Sequence, residues 1–264
     1  MCKIDTGGSN SMILAFISDV HANLEAFDSV MRDIESRDVD QIYCLGDIVG
    51  YGPDPEEVTR RIMKIPSIAG NYDDAVGYSK SSCGCSYKPG RETEVGDISL
   101  NWTIENTSQE IKNYLKSLKH RMELEFDGVK FLLVHGSPLD ELLEYVTPDT
   151  EPERLRKIIE NVEADVIISG HTHLPMAKFF KGKLILNAGS VGRPKDGNPK
   201  ACYLLIYIHE GVLSYEFIRV SYDVKKTCEK IAMKKLPAEL SVVLTLGKSY
   251  DMGKPLSETS FILP

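Results

Sequence analysis

At 264 residues, 42% hydrophobic and 27% charged, the chain can bury a full core and has the composition of an ordinary globular protein. A net charge of −8 and a pI of about 5.4 exclude a bulk nucleic-acid binder or a binder of anionic membranes, since either needs a basic surface; a local basic patch around an anionic substrate remains compatible. No apolar run approaches the roughly 18 residues of a membrane span. The six cysteines (Cys2, Cys44, Cys83, Cys85, Cys202 and Cys228) are scattered behind no secretory signal, so they read as reduced thiols of a cytoplasmic protein.

Residues 1–11 are polar and rich in Gly and Ser, the pattern of a flexible extension, and 12–264 read as a single domain. The run MILAFISD (12–19) predicts a fully buried strand ending at polar residues. In 23–37 the apolar residues Leu24, Phe27, Val30, Met31 and Ile34 recur at helical spacing. DQIYCLGD (40–47) predicts a second strand, and Asp54 with Pro55, Glu56 and Glu57 has the makeup of a capped helix start. IPSIAGN (65–71) predicts a third strand, so the first 75 residues alternate strand and helix like a parallel sheet with covered faces. Residues 78–96 break the pattern as an inserted loop, with helices expected at 97–106 and 108–118. Three hairpins follow, turning at Asp127-Gly128, Lys181-Gly182 and Glu210-Gly211. Between the first two lie a helix at 151–162 and a strand in DVIISGHTH (165–173); helices are expected over 223–246.

The chemistry gathers at strand ends: Asp19-Val20-His21, Gly46-Asp47, Gly70-Asn71, His135-Gly136 and Gly170-His171-Thr172-His173. Ligands collect at the carboxyl ends of strands in α/β sheets. Four of the six histidines belong to this set, while His120 and His209 sit at ordinary surface positions. Imidazole, carboxylate and one amide oxygen suit a hard-to-borderline divalent metal. Seven ligands exceed one tetrahedral ion and suit two ions sharing a carboxylate, a pair that can hold an attacking hydroxide and clamp a phosphoryl group. A lone Asp or His at such a position is more often a cap or a core residue; five such elements in order, each behind a strand, point to a site.

The series SDVH, GDIVGYGP, GNYD, VHGS and GHTH resembles that of the calcineurin-like metallophosphoesterases. DIVGYGPDP, HGSP, GHTHLP and NAGSVGRPKDGNPKACY extend the resemblance to the compact prokaryotic branch related to YfcE-type phosphodiesterases and diadenosine tetraphosphate hydrolases, over about residues 12–220. The resemblance implies a four-layer α-β-β-α sandwich with two β-sheets. It implies one metal on Asp19, His21, Asp47 and His173, and another on Asp47, Asn71, His135 and His171, with Asp47 as the bridge. Mn, Fe, Zn or Ni each suits this set. It implies in-line attack on phosphorus by a hydroxide bridging the metals, with Asn71 helping to orient a small phosphoester or nucleotide substrate.

The family usually has His where this chain has Tyr72, and that His is its proton donor, oriented by the carboxylate that here is Asp73. A phenol gives up its proton far less readily than an imidazolium, which points to a phosphoesterase favouring good leaving groups such as aryl esters or nucleotide phosphoanhydrides. Alternatively Tyr72 packs over the site and another group supplies the proton. Arg193, Lys195 and Lys200, near Gly189 and Ser190, form either a second phosphate subsite or a solvated loop. Cys83 and Cys85 are either two reduced loop thiols or a means of metal or redox control. Trp102 reads as helix packing. The rival to an enzyme is a metal-binding scaffold, as in the retromer subunit of this superfamily, or a nucleotide sensor. Oligomeric state and physiological substrate are not encoded legibly.

Overall fold

The computed structural model describes residues 11–87 and 89–249. The flexible extension expected over 1–11 therefore falls, but for Ser11, outside the described residues, as does Cys2.

Two mixed sheets pack face to face. The first has the order β2-β1-β8-β9, with β1 at Met12–Ile17, β2 at Gln41–Cys44, β8 at Ala201–His209 and β9 at Val212–Val220. The second has the order β3-β4-β5-β7-β6, with β3 at Arg121–Phe126, β4 at Val129–Val134, β5 at Val166–Ser169, β6 at Met176–Phe180 and β7 at Lys183–Asn187. β1 pairs parallel to β2 and antiparallel to β8, while β4, β5 and β7 run parallel in the other sheet.

The contiguous apolar runs follow from burial on both faces. Along β1, Leu14 and Phe16 point between the sheets, where they meet Phe131, Leu133, Ile168, Leu204 and Ile206. Ala15 and Ile17 point the other way, under the helices α1 (Leu24–Glu35), α2 (Pro55–Ile62) and α3 (Asn71–Gly77). On the far side of the second sheet, Leu132, Val134 and Ile167 are covered by Leu155, Ile158 and Ile159 of α6 (Pro152–Ile159). The result is the four-layer α-β-β-α sandwich. The hairpin turns lie where expected, and both central residues of each have positive φ: 49° and 77° at Asp127-Gly128, 45° and 82° at Lys181-Gly182, 50° and 74° at Glu210-Gly211. No helix among the described residues is long and apolar enough to cross a membrane.

Three expectations need correction. The third strand is reduced to single bridges at Ser67, to Cys44, and at Ile68, to Lys119. Pro66 has no N–H to extend a ladder. Asp54 occupies the N-cap of α2 without a side-chain cap bond. Its carboxylate instead meets Lys230 at 2.7 Å, on α7 (Val224–Met233), joining α2 to the pair of C-terminal helices that α8 (Ala238–Leu246) completes. Helix α4 (Arg91–Glu105) begins inside the segment expected to be a loop, and α5 spans Gln109–Ser117. Gly90, at φ 106°, redirects the chain into α4, whose buried face of Val95, Ser99, Leu100 and Thr103 then packs inward. Trp102 packs against the helical core, as expected.

Phe16 is fully buried and stacks on Tyr43 and Phe131 at 5.5 and 6.4 Å between ring centroids. Phe16→Ala should cost about 3–5 kcal/mol, read as a lower urea midpoint at unchanged slope.

Candidate metal centre

The loops after β1, β2, β4 and β5 converge with the start of α3. Backbone bonds lock the first two together: Asp19 N–H donates to the Gly46 carbonyl at 3.0 Å and His21 N–H to the Asp47 carbonyl at 2.9 Å. Gly170 N–H donates to the His135 carbonyl at 3.0 Å, and Gly192 N–H to the Asp19 carbonyl at 3.0 Å, so the ends of the two sheets meet. This closeness requires glycine at two points. A Cβ on Gly46, itself at φ 91°, would lie 2.2 Å from Gly70 N, and one on Gly70 would lie 2.1 Å from Asp47 Oδ1.

Asp19, His21 and His173 form one buried group able to hold a metal ion; Asp47, His135 and His171 form another. The carboxylate of Asp47 reaches both, its Oδ2 lying 3.5 Å from His21 Nε2 and 3.5 Å from His135 Nε2. Its Oδ1 accepts the Tyr72 N–H at 2.8 Å. Asp19 divides its oxygens similarly. Oδ2 accepts from Ser18 Oγ at 2.7 Å and His171 N–H at 3.1 Å, leaving Oδ1 toward His173 Nε2 at 3.3 Å.

Backbone carbonyls set the histidine tautomers. His21 Nδ1–H donates to Val49, His135 Nδ1–H to Leu45 and His173 Nδ1–H to Arg193, at 3.0, 2.8 and 2.6 Å. His171 is reversed: its Nε2–H donates to the Leu143 carbonyl at 3.1 Å, leaving Nδ1 free. A carbonyl can only accept, so in the neutral ring each opposite nitrogen presents a lone pair. His21 Nε2 and His173 Nε2 face one another at 3.2 Å with no proton to share. Asp19 Oδ1, Asn71 Oδ1 and His135 Nε2 are buried without a hydrogen-bond partner. Buried lone pairs carry a desolvation cost unless something positive meets them, and divalent cations fit this donor set.

Five of these residues hold left-handed backbone: Asp19, His21, Asp47, His171 and His173, with φ between 46° and 66°. Asp and His tolerate this region better than bulkier side chains, and such strain concentrates at functional sites.

The charges are set mainly by burial. Burial pushes Asp19 above the usual carboxylate range, and the Asp47 charge adds to this. Burial acts on Asp47 too, but the imidazoles of His135 and His21 hold it below that range. Burial drives His21 and His171 down to about 3. His135 goes the other way, since the nearby Asp47 overcomes burial and raises it to about 9.

The centre opens into a cleft of about 360 Å³ lined by Tyr51, Cys85, Tyr87, Tyr145, Arg193 and Lys195, among others. Arg193 is 6% exposed, its guanidinium stands over the Tyr51 ring at 4.0 Å, and its Nε has no partner. Burial, with Arg193 nearby, lowers Lys195 to about 8. Lys200 is exposed and does not line this cleft; its backbone N–H donates to Asn198 and its carbonyl accepts from Arg219. Tyr72 is fully buried, its hydroxyl bonded to that of Tyr87 at 2.5 Å, which in turn bonds Tyr51 at 2.8 Å. Asp73 spends its carboxylate on the N–H groups of Gly70, Ile48 and Val49, at 2.9, 2.8 and 3.2 Å. His120 and His209 are exposed, as expected.

Sequence reasoning missed Tyr51, Tyr87, Leu143 and Tyr145. Tyr51 stood within the motif GDIVGYGP without being marked as a contact. Tyr145, whose ring lies 4.0 Å from that of His171, and Leu143 had only their apolar character in a polar loop as a signal.

Residues 12–211 match the family model described as the calcineurin-like phosphoesterase superfamily domain. An uncharacterized protein of Methanocaldococcus jannaschii is 35% identical over 254 residues, covering 89% of this chain and 98% of its own. The phosphodiesterase YfcE of Escherichia coli is 26% identical over 207 residues, covering 74% of this chain and 87% of its own. A solved metallophosphoesterase from Sphaerobacter thermophilus superposes with a TM-score of 0.74 at 29% identity, covering 90% of this chain and 100% of that one.

Metal binding should depend on pH in a defined sense. His135 must lose its proton to ligate, and in the metal-free protein it keeps that proton up to about 9. Affinity should therefore rise with a slope of about one decade per pH unit up to about pH 9 and then level off, steepening at low pH as Asp19 takes a proton. Chelator competition for Zn²⁺ across this range measures it; a flat profile below about pH 9 would remove His135 from the candidate ligands.

Proposed function

The chain belongs to the calcineurin-like phosphoesterase superfamily, whose members use divalent metals, and is a phosphoric ester hydrolase; from that premise we propose that it cleaves phosphoesters or nucleotide phosphates with good leaving groups, at two cations sharing Asp47. The observation that carries this reading is the Asp47 carboxylate, within 3.5 Å of an imidazole nitrogen in each of the two groups. Asp19, His21 and His173 would complete the first position, and Asn71, His135 and His171 the second. Once bound, two divalent ions supply an acidified water as nucleophile and neutralise charge developing on the phosphoryl oxygens.

The chain's own groups do the rest. The cations of Arg193 and Lys195 hold the phosphate oxygens, and the stack on Tyr51 fixes the guanidinium plane that a bidentate contact needs; Asn71 offers them no side-chain donor, because its Nδ2 is committed to Cys83 and Cys85. Tyr72 occupies the position of the family's proton donor, but its hydroxyl is tied to Tyr87 and burial raises its pKa well above that of a free phenol. Asp73, committed to three backbone N–H groups, fixes the start of α3 against the loop after β2. Protonation of the leaving oxygen is therefore weak in this site. Aryl oxides and phosphate anhydrides depart without that help, whereas alkoxides depend on it.

With added Mn²⁺ the enzyme should hydrolyse bis-p-nitrophenyl phosphate, and Asp47→Asn should lower the rate by about 100-fold or more together with bound metal. Absence of hydrolysis across Mn²⁺, Zn²⁺ and Ni²⁺ would favour a scaffold or sensor. Tyr72→His should raise the alkyl-to-aryl rate ratio on phosphodiesters by about tenfold or more; an unchanged ratio would show that another group supplies the proton.

A further inference from the structure

Asn71 carries one amide oxygen and one amide nitrogen, and its surroundings decide which faces the metal centre. Nδ2 donates to the Cys83 carbonyl at 2.9 Å and to the Cys85 sulfur at 3.2 Å. A flipped amide would set two oxygens against one another, since a carbonyl only accepts. The segment 83–85 thus leaves Oδ1 buried and without a donor, in a residue that lines the cleft beside Asp47, His171 and His173.

That segment is Cys-Gly-Cys. Gly84, at φ 74°, folds the chain back so that Cys85 N–H donates to Cys83 Sγ at 3.3 Å. Both are free thiols. Cys85 lines the cleft and is half-buried; Cys83 lies behind it, 6% exposed, with its sulfur 3.4 Å from the Tyr87 hydroxyl.

We propose that Cys83-Gly84-Cys85 is a site of reversible thiol oxidation, where closing a disulfide across Gly84 releases Asn71 and weakens the second cation position. The inference rests on the reading that Asn71 serves that position. The oxidant is a low-molecular-weight disulfide. Cys85, reached through the cleft, attacks one of its sulfurs, forming a mixed disulfide and expelling one reagent thiol with a proton. Cys83 then attacks the Cys85 sulfur, the protein disulfide forms, and the second reagent thiol leaves with the second proton. Two cysteine thiols are oxidised and one reagent disulfide is reduced to two thiols. A bridge across a single residue is strained, so a dithiol reopens it readily. Closure draws the Cys85 sulfur off Asn71 Nδ2 and turns the peptide that carries the Cys83 carbonyl, removing both acceptors together.

Both cysteines fall in one tryptic fragment, residues 81–91, apart from the other four. Metal-loaded enzyme is treated with glutathione disulfide, and three quantities are followed: the mass of that fragment, metal retained against a chelator, and the rate on bis-p-nitrophenyl phosphate. The fragment should lose about 2 Da, the second metal equivalent should be held about tenfold more weakly, the rate should fall with it, and dithiothreitol should restore all three. Without oxidant, Cys85→Ala should weaken the second equivalent alone. Cys85→Ser, which keeps an acceptor for Asn71, should hold it more tightly than Cys85→Ala and should not respond to the reagent. A fragment that never loses the 2 Da (about two hydrogen masses), a bridge that forms with metal retention unchanged, or a Cys85→Ser protein as sensitive as the wild type would each overturn the proposal. Fragment mass and metal retention need no turnover, so a protein without phosphoesterase activity, which would defeat the proposed function, still decides this question.

Discussion

The carboxylate of Asp47 is the group around which the structure is organised. A carboxylate this deeply buried stays ionised only if positive or hydrogen-donating partners surround it. Those partners come from the loop after β4 (His135) and the start of α3 (Tyr72 N–H). Satisfying one side chain therefore fixes the relative placement of both sheets and a helix. Gly46 and Gly70 follow from the same requirement, because a side chain at either would drive the end of β2 away from α3.

Much of this frame was legible because the relevant signals are local. An apolar run of strand length with polar residues at its end identified β1, β2 and β5, and paired turn residues located the hairpins. The pile-up of Asp, His and Asn at strand ends singled out the residues that the fold brings together. What could not be read depends on partners distant in sequence. Nothing local places β8 beside β1, which it joins across nearly the whole chain. The early start of α4 is stabilised by a face that packs on tertiary neighbours. The reversed ring of His171 depends on a carbonyl in the irregular loop at Leu143. The contact between Cys85 and Asn71 depends on a turn at Gly84 that periodicity does not describe.

Tyr72 shows how far one buried aromatic side chain reaches. Its ring lies edge-on to His21 at 5.5 Å and tilted against Tyr51 at 4.6 Å. A Cβ at Gly50 would lie 2.2 Å from it. Its hydroxyl begins a chain through Tyr87 to Tyr51, and the Tyr51 ring carries the Arg193 guanidinium. Tyr72 thus supports the platform beneath a cation that lines the cleft. Tyr72, Tyr87, Tyr51 and Arg193 form one connected layer on the wall of the cleft, so a change at Tyr72 should reach the guanidinium.

The left-handed backbone at Asp19, His21, Asp47, His171 and His173 has a consequence beyond chemistry. Each such residue costs roughly 1 kcal/mol that the unfolded chain does not bear, and the crowded lone pairs at the centre add to the deficit. Cations that bind only the folded form offset it by mass action. Occupancy of the centre therefore stabilises the folded chain, and its resistance to proteolysis should rise with the supply of divalent ions.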